Sequence, residues 1–442
     1  MNKSTLALAV AAGVLAQQAG AAGFIEDSKA TLGLRNFYIN TDNRSGAANP
    51  SRNEEWGQGF DLRFISGYTQ GAVGFGVDAI GLLGVRLDSG GGTNGAANGA
   101  AYGGTVFPSE SNGEAVDNFS SLGLTAKAKI SQTELKLGTL QPKLPVIVTN
   151  DGRLLPQTFQ GGQITSGEIK DLTLIGGQIE HVKGRNSSSN EQLSIGGASA
   201  RTANSNKFIY AGGDYKITKD LTAQYYYGNL EDFYKQHFLG LVHNWSIGPG
   251  VLKSDLRYFN SSDDGLNGNT ATYYSNGNYN STANGKGKVD NNLYSGLFLY
   301  TVAGHTFGGG YQVSNGSSDF PWLNQGDGSS AYLTTDSQIA KFARAGERTW
   351  QARYSYDFAK VGVPGLTAGV VYLHGDDIDT RSPASSGSSE WERDLTVGYV
   401  VPEGPLKNVG LMWKNATWRT NIPGQRDQDE NRLIVSYSIP LL

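Results

Sequence analysis

The sequence predicts an all-β protein, and within that class a transmembrane antiparallel barrel of 18 strands. Three observations lead there. Apolar residues recur at every second position in segments running from residue 30 to the C-terminus, which is the side-chain period of a strand. The gaps between those segments alternate short and long. The 442 residues are only 38% hydrophobic, yet include 61 Gly, 22 Tyr, 17 Phe and 7 Trp. That composition suits strands and turns, and suits a barrel that is apolar only on its outside.

The N-terminus reads as a secretory signal peptide over residues 1–22. Lys3 supplies a positive n-region, Leu6 to Leu15 a short apolar stretch, and Ala19-Gly20-Ala21-Ala22 a small-residue cleavage site. Residues 23–442 are then expected to form one barrel. After the leader, no apolar run approaches the roughly 20 residues of a membrane helix. Cysteine is absent, which excludes disulfides, thiolate catalysis and cysteine-ligated metal. A formal charge of −4 gives no reason to expect nucleic acid.

The expected strands are residues 31–39, 60–69, 73–87, 122–130, 133–140 and 164–169, followed by 172–181, 207–216, 221–227, 233–247, 251–260 and 293–302. The remainder are 306–313, 349–358, 366–374, 391–401, 409–418 and a last strand after the loop 421–430. Tight turns are expected at Gln70-Gly71, Ser131-Gln132, Lys170-Asp171, Thr218-Lys219-Asp220, Gly248-Pro249-Gly250, Ala303-Gly304, Val363-Pro364-Gly365 and Pro402-Glu403-Gly404-Pro405. Long polar stretches fall between the resulting pairs. The even count depends on 164–169, where the alternation is weakest. A barrel sorts its connections because one rim faces the periplasm and the other the outside. A soluble sandwich has no such reason, and disordered linkers would not recur after every second strand.

Alternation also assigns faces. In the final strand Leu433, Val435, Tyr437, Ile439 and Leu441 share one face, with Arg432, Ser436 and Ser438 on the other. Leu122, Leu124, Ala126, Ala128 and Ile130 oppose Gly123, Thr125, Lys127 and Lys129. Leu252, Leu256 and Tyr258 oppose Lys253, Asp255 and Arg257; Trp350, Ala352, Tyr354, Tyr356 and Phe358 oppose Gln351, Arg353 and Ser355. A lipid-facing Arg or Lys at mid-depth costs roughly 2–4 kcal/mol, so the cationic faces are assigned to the lumen. Asp61, Asp78, Glu134 and Asp255 join them, and the expected lumen is mixed in charge. Cations on a confined wall concentrate and guide anions; a solvated face without selectivity is the plainer alternative. Tyr225-Tyr226-Tyr227, Trp350, Trp391, Trp413 and Trp418 are expected in aromatic girdles.

The stretch after Leu140 is too apolar for an external tip. Leu144, Val146, Ile147, Val148, Leu154 and Leu155 need burial, which folding into the barrel would supply. Arg153 then becomes a candidate for the constriction.

With these residues in view, the chain resembles the OprD-type porins, the Occ carboxylate-channel family of pseudomonad outer membranes. The resemblance covers essentially the whole mature chain. It rests on Trp56-Gly57-Gln58-Gly59-Phe60, Val73-Gly74-Phe75-Gly76-Val77-Asp78-Ala79 and Arg153-Leu154-Leu155-Pro156-Gln157-Thr158-Phe159. Further support comes from Tyr226-Tyr227-Gly228-Asn229-Leu230-Glu231-Asp232-Phe233-Tyr234, Gly326-Asp327-Gly328, Trp350-Gln351-Ala352-Arg353-Tyr354 and Asn431-Arg432-Leu433-Ile434-Val435. The leader and first strand look most like OprE-like members. The resemblance implies an 18-stranded barrel with short periplasmic turns, an eyelet narrowed by inward-folded loops, and uptake of small carboxylate-bearing solutes along a line of basic side chains. Arg35, Arg153, Lys414 and Arg432 stand at matching basic positions, and Asp327 matches an acidic residue opposite that line. With Lys127 and Arg353 they form the expected channel lining. Val371 and Met412 stand where the family's namesake carries arginine, so the basic line is thinner here.

Enzymatic chemistry finds little footing. His181, His237, His243, His305 and His374 form no HExxH pair, and no G-x-S-x-G or P-loop occurs. Asp376-Asp377-Ile378-Asp379 could hold a divalent cation with loop carbonyls, although a solvated loop is the simpler reading. No metal or cofactor is expected. The expected partners are small carboxylates, outer-membrane lipid and lipopolysaccharide, with no nucleic acid; a monomer and a loose trimer both fit. The alternatives are an outer-membrane enzyme, which needs a Ser, His and Asp constellation at the rim, a general non-selective porin, and a gated transporter, which needs a plug domain before the barrel.

Overall fold

The structure is a computed structural model that describes residues 23–44, 52–89, 105–110, 114–196, 203–270, 273, 287–324, 330–381 and 384–442. The expected signal peptide, residues 1–22, and Asp327 with its flanking glycines lie outside the described residues. Eighteen antiparallel strands close on themselves. They are β1 (Lys29–Asn43), β2 (Arg52–Ile65), β3 (Gly74–Asp88), β4 (Asn118–Ile130), β5 (Thr133–Leu140) and β6 (Thr158–Ser166). Next come β7 (Leu172–Lys183), β8 (Phe208–Lys216), β9 (Leu221–Leu230), β10 (Tyr234–Ile247), β11 (Gly250–Asp263) and β12 (Asp290–Val302). The last six are β13 (His305–Gly316), β14 (Arg348–Asp357), β15 (Leu366–Arg381), β16 (Ala384–Val400), β17 (Gly410–Thr420) and β18 (Gln428–Pro440). Each pairs with its sequence neighbours. Closure is made by β1, where Leu32 lies opposite Leu62 on one side and Ile439 on the other.

On one rim no connection exceeds the nine residues between Val400 and Gly410, and β1 starts and β18 ends there too. This is the periplasmic rim. The other rim carries the long loops, including residues 89–117, 264–289 and 317–347.

Several strand bounds differ from the sequence reading. β2 begins at Arg52, because Gly57 and Gly59 have no side chain to show alternation. It ends at Ile65, where Ser66 turns the chain inward and its hydroxyl accepts from Val77 N at 2.8 Å. The strand expected at 164–169 exists as β6 but lies earlier, Thr158–Ser166, with residues 167–171 forming the turn. The outer rim is also less uniform than expected. Residues 231–233 make a tight connection there, and β15 and β16 run far past the expected loop. Asp376, Asp377 and Asp379 therefore sit in a bulged strand, with Asp377 at φ 61°. Among the described residues no cluster of His, Asp and Glu is arranged to hold a metal ion.

The face assignments hold along β4, β11, β14 and β18. Leu122, Leu256 and Leu433 are exposed to the outside, whereas Lys127, Asp255 and Arg432 are buried within. Two girdle expectations fail. Tyr226 is 1% exposed and faces inward, since three consecutive strand residues cannot share one face. Trp418 also faces inward, where its indole N–H donates to Glu390 Oε2 at 2.7 Å. On the outside, an apolar trough of about 730 Å³ runs across β10 to β13 over Gly296 and Gly309. It faces lipid and is not on the path through the barrel.

The core lies inside the barrel. One apolar cluster joins Leu144, Val146 and Ile147 of the loop 141–157 and Phe320, Leu323 and Leu333 of the loop 317–347 to Phe208, Tyr226, Phe238 and Phe259 of the wall. A second joins Leu154 and Leu155 to Phe37, Ile39, Leu82, Phe107 and Phe119. The loop after Leu140 is thus folded inward as its apolar content required.

The two faces of β11 differ sharply in their tolerance of charge. Leu256→Arg on the lipid face is expected to cost about 2–4 kcal/mol of barrel stability, measured by urea unfolding in liposomes. Leu256→Ala should cost clearly less. Equal losses would place Leu256 away from the hydrocarbon.

Candidate functional site

The inward loops narrow the lumen to a polar chamber of about 530 Å³. Its lining comes from opposite sides of the barrel: Gly152 and Arg153 from one loop, Asp336 to Lys341 from the other, and Arg353, Asp394, Lys414, Glu430 and Arg432 from the wall. On the periplasmic side of the segment 151–156 lies a second cavity of about 290 Å³, lined by Arg35, Asp61, Leu154, Pro156, Ser436 and Asn408. The loop segment that carries Arg153 thus separates the polar chamber from this smaller, mixed space.

Glycines on the inner face of the wall seat these loops. A Cβ on Gly57 would stand 2.5 Å from the Phe107 ring, and one on Gly59 would stand 2.9 Å from the Leu154 carbonyl. A Cβ on Gly228 would come within 2.9 Å of Val146 Cβ. The motifs around Trp56 and Tyr226 therefore mark the places where apolar loop residues press against bare backbone.

Wall charges hold the rest of the loop backbone. Glu392 accepts from the backbone N–H of Ile339 at 2.8 Å and of Ala340 at 2.7 Å, one on each oxygen. Asp394 accepts from Ser337 Oγ at 2.6 Å and Gln338 N at 3.2 Å. Glu55 receives Val106 N at 2.9 Å and Phe107 N at 3.0 Å in the same two-oxygen manner. Arginines serve the carbonyls: Arg432 donates to Gln338 O at 2.8 Å, Arg257 to Tyr332 O at 3.1 Å, and Arg353 to Thr334 O. Gln312 donates to Phe342 O at 2.6 Å. Where the loop rejoins β14, burial and then the adjacent Glu390 carboxylate push the Glu347 carboxyl well above the ordinary range. Ionising both would set two buried negative charges together, with Arg344 3.8 Å from Glu390 offsetting only part of the repulsion.

The expected lining residues separate into three places. Arg153, Arg353, Lys414 and Arg432 share the chamber. Arg35 lies below it, donating to Asp151 Oδ1 and to the Arg153 carbonyl, both at 2.7 Å. Lys127 is buried in neither space: its ammonium lies 2.6 Å from Asp78 and donates to Ser66 O at 2.7 Å, holding the segment 66–73. Of the arginine positions absent here, Val371 lines the chamber, and Met412 pairs across from Ile434 on the same inner face.

The acidic half of the site escaped the sequence reading. Glu430 receives Arg432 Nε at 2.6 Å and Gln338 Nε2 at 3.1 Å, and lies 3.8 Å from Arg153. Its signal was present as an acid two residues before an arginine, which puts both on one face. Asp61 with Arg63 and Asp255 with Arg257 repeat it, the first pair joined by hydrogen bonds of 2.7, 2.9 and 3.1 Å and the second by hydrogen bonds of 2.7 and 2.8 Å. The alternating trio Glu390, Glu392 and Asp394 was equally visible. Three like charges on one strand face are unfavourable unless each has donors.

A closed 18-stranded barrel with loops folded into a charged lumen is the frame of a diffusion channel, and comparison with known proteins agrees. The family described as outer membrane porin, OprD family, matches residues 22–441. The chain belongs to the OprD family of outer-membrane porins. It is 38% identical over 439 residues to the porin-like protein GalP of Pseudomonas putida, covering 99% of this chain and 97% of that protein. It is 35% identical over 470 residues to Porin D of Pseudomonas aeruginosa, covering 100% of this chain and 99% of that protein. The crystal structure of Pseudomonas aeruginosa OccK8 (OprE) superposes with a TM-score of 0.85 at 62% identity, covering 95% of this chain and all of that one. That of Pseudomonas aeruginosa OpdK with vanillate gives 0.83 at 37% identity, with the same coverage. The resemblance to OprE-like members is thereby met. As an OprD-family porin the protein resides in the outer membrane and passes small solutes; its relatives are porins, not enzymes.

Gly59 supplies a test of the seated loop. Gly59→Leu should push Leu154 and its neighbours off the wall and into the lumen, lowering single-channel conductance in planar bilayers. An unchanged conductance would show that the segment 151–156 does not bound the path.

Proposed function

We propose that this porin selects small carboxylate-bearing solutes, drawing them through the chamber along a basic track. The observation that carries this reading is the chamber's charge. Arg153, Arg185, Lys341, Arg353, Lys414 and Arg432 line it against Asp336, Asp394 and Glu430, an excess of three positive charges in a confined space. Such a space concentrates anions. Most of these cations also hold the protein together. Lys341 pairs with Asp336 at 2.9 Å, Arg432 with Glu430, and Arg185 donates to Asn150 at 2.8 Å. Lys414 differs: it lines the chamber with no hydrogen bond or ion pair to any described residue. It is the cation best able to exchange one solute carboxylate for the next.

Arg35 then receives the solute on the periplasmic side of Arg153, and Asp327 is assigned the acidic position opposite the track. Vanillate in the OpdK structure is an aromatic carboxylate, which supports the solute class without naming the solute for this chain. The three chamber carboxylates predict a moderate rather than exclusive anion preference.

Reversal potentials in a salt gradient should show anion preference in the native channel and a smaller one in Lys414→Gln. Small carboxylates should compete for the path about fivefold less well in that variant, equivalent to roughly 1 kcal/mol. Arg153→Ala should alter conductance or competition. Strong cation preference in the native channel would overturn the reading, and equal passage of charged and neutral solutes of one size would favour a general porin.

A further inference from the structure

Glu392 lies on the inner face of β16 and is fully buried, far from any role as a solute contact. Its two oxygens each receive one loop amide, from Ile339 and Ala340, at the tip that lines the chamber. We propose that Glu392 is the positioning residue that sets the width of the aperture, through a clamp that is strongest in its ionised form. An ionised carboxylate is acceptor on both oxygens, whereas a protonated one carries an O–H donor. Protonation leaves one amide facing a neutral hydroxyl oxygen, a weaker acceptor without charge assistance, and that side of the clamp is weakened. Glutamine has the same defect permanently, since its NH₂ cannot accept. The inference is independent of which solute the channel passes.

The surroundings of Glu392 decide how the clamp responds to pH. On its own strand face stand Asp394 and Glu390, both acidic. Across the sheet it pairs with Leu373 of β15 and Trp418 of β17, neither of them charged. On the loop Lys341 follows Ala340, tied to Asp336; further along the inner face of β17 is Lys414. The nearest charges on its strand are thus of its own sign. Asp394, Arg432 and Glu430 hold the adjacent Ser337 and Gln338, so weakening the Glu392 clamp loosens the Ile339–Ala340 side of the tip while the other side stays tied. That side of the tip can then move between wall and lumen.

Single-channel recording in planar bilayers tests this, with the pH lowered from about 7.5 to about 4, across the carboxylate range. The native channel should switch between conductance levels about tenfold more often at the acid end, as expected for loss of a charge-assisted hydrogen bond. Glu392→Gln should switch at the raised rate already at neutral pH and change little on acidification. In liposome swelling at neutral pH it should admit larger uncharged sugars than the native channel. Glu168→Gln, at the periplasmic rim, should behave as native throughout. A native channel whose switching is flat across the range would overturn the proposal, and that titration needs no variant. So would a Glu392→Gln channel that switches as native at neutral pH or keeps the full native response to acid.

Discussion

A closed sheet has no edge, and that constraint governs the inside of this protein. Every strand spends its hydrogen bonds on two neighbours, so a loop folded into the lumen cannot complete its backbone by joining the sheet. Its N–H and C=O groups are met partly by short pairings among the loops, as between residues 194–195 and 323–324, and otherwise by side chains. Long carboxylates of the wall supply acceptors and its arginines supply donors. The lumen is therefore charged, and charged with both signs. Glu55, Glu392 and Asp394 take amides; Arg257, Arg353 and Arg432 take carbonyls.

That dual duty separates wall charges by function. A guanidinium bound to a loop carbonyl and a neighbouring carboxylate presents only part of itself to a passing ion. Removing it disturbs the aperture as well as the charge. Lys414 has no such tie among the described residues, so its removal changes the charge alone. The cations lining the chamber are therefore mostly scaffold rather than a row of equivalent groups. This is also why the chamber's excess of three positive charges predicts moderate anion preference: much of the field is already answered within the wall.

How much of this was legible follows the same division. Wall faces have a strict period, so Leu256 outside and Arg257 inside could be read from order alone. The inward fold of the loop after Leu140 was legible because Leu144, Ile147, Leu154 and Leu155 had nowhere else to be buried. Strand ends were not, where glycine removed the alternation at Gly57 and Gly59 or where β15 and β16 continued beyond the lipid and lost the need for an apolar face. The acids of the site were hidden for a different reason. Glu392 and Glu55 act on backbone amides far away in sequence, and an amide has no residue identity to read. Only the same-face spacing of Glu430 with Arg432, or of Glu390, Glu392 and Asp394, hinted that these charges had partners to find.

The missing arginine at position 371 takes on meaning in this light. Register places Val371 between Arg353 of β14 and Asp394 of β16, all on the inner face. An arginine there would lie beside Asp394 and compete with Ser337 and Gln338 for its carboxylate. Valine leaves that carboxylate to the loop tip, where Ser337 Oγ binds it at 2.6 Å. A thinner basic track and a firmly seated constriction are thus two consequences of one side chain. What the wall gives up in charge along the path, it recovers in the definition of the aperture through which the solute must pass.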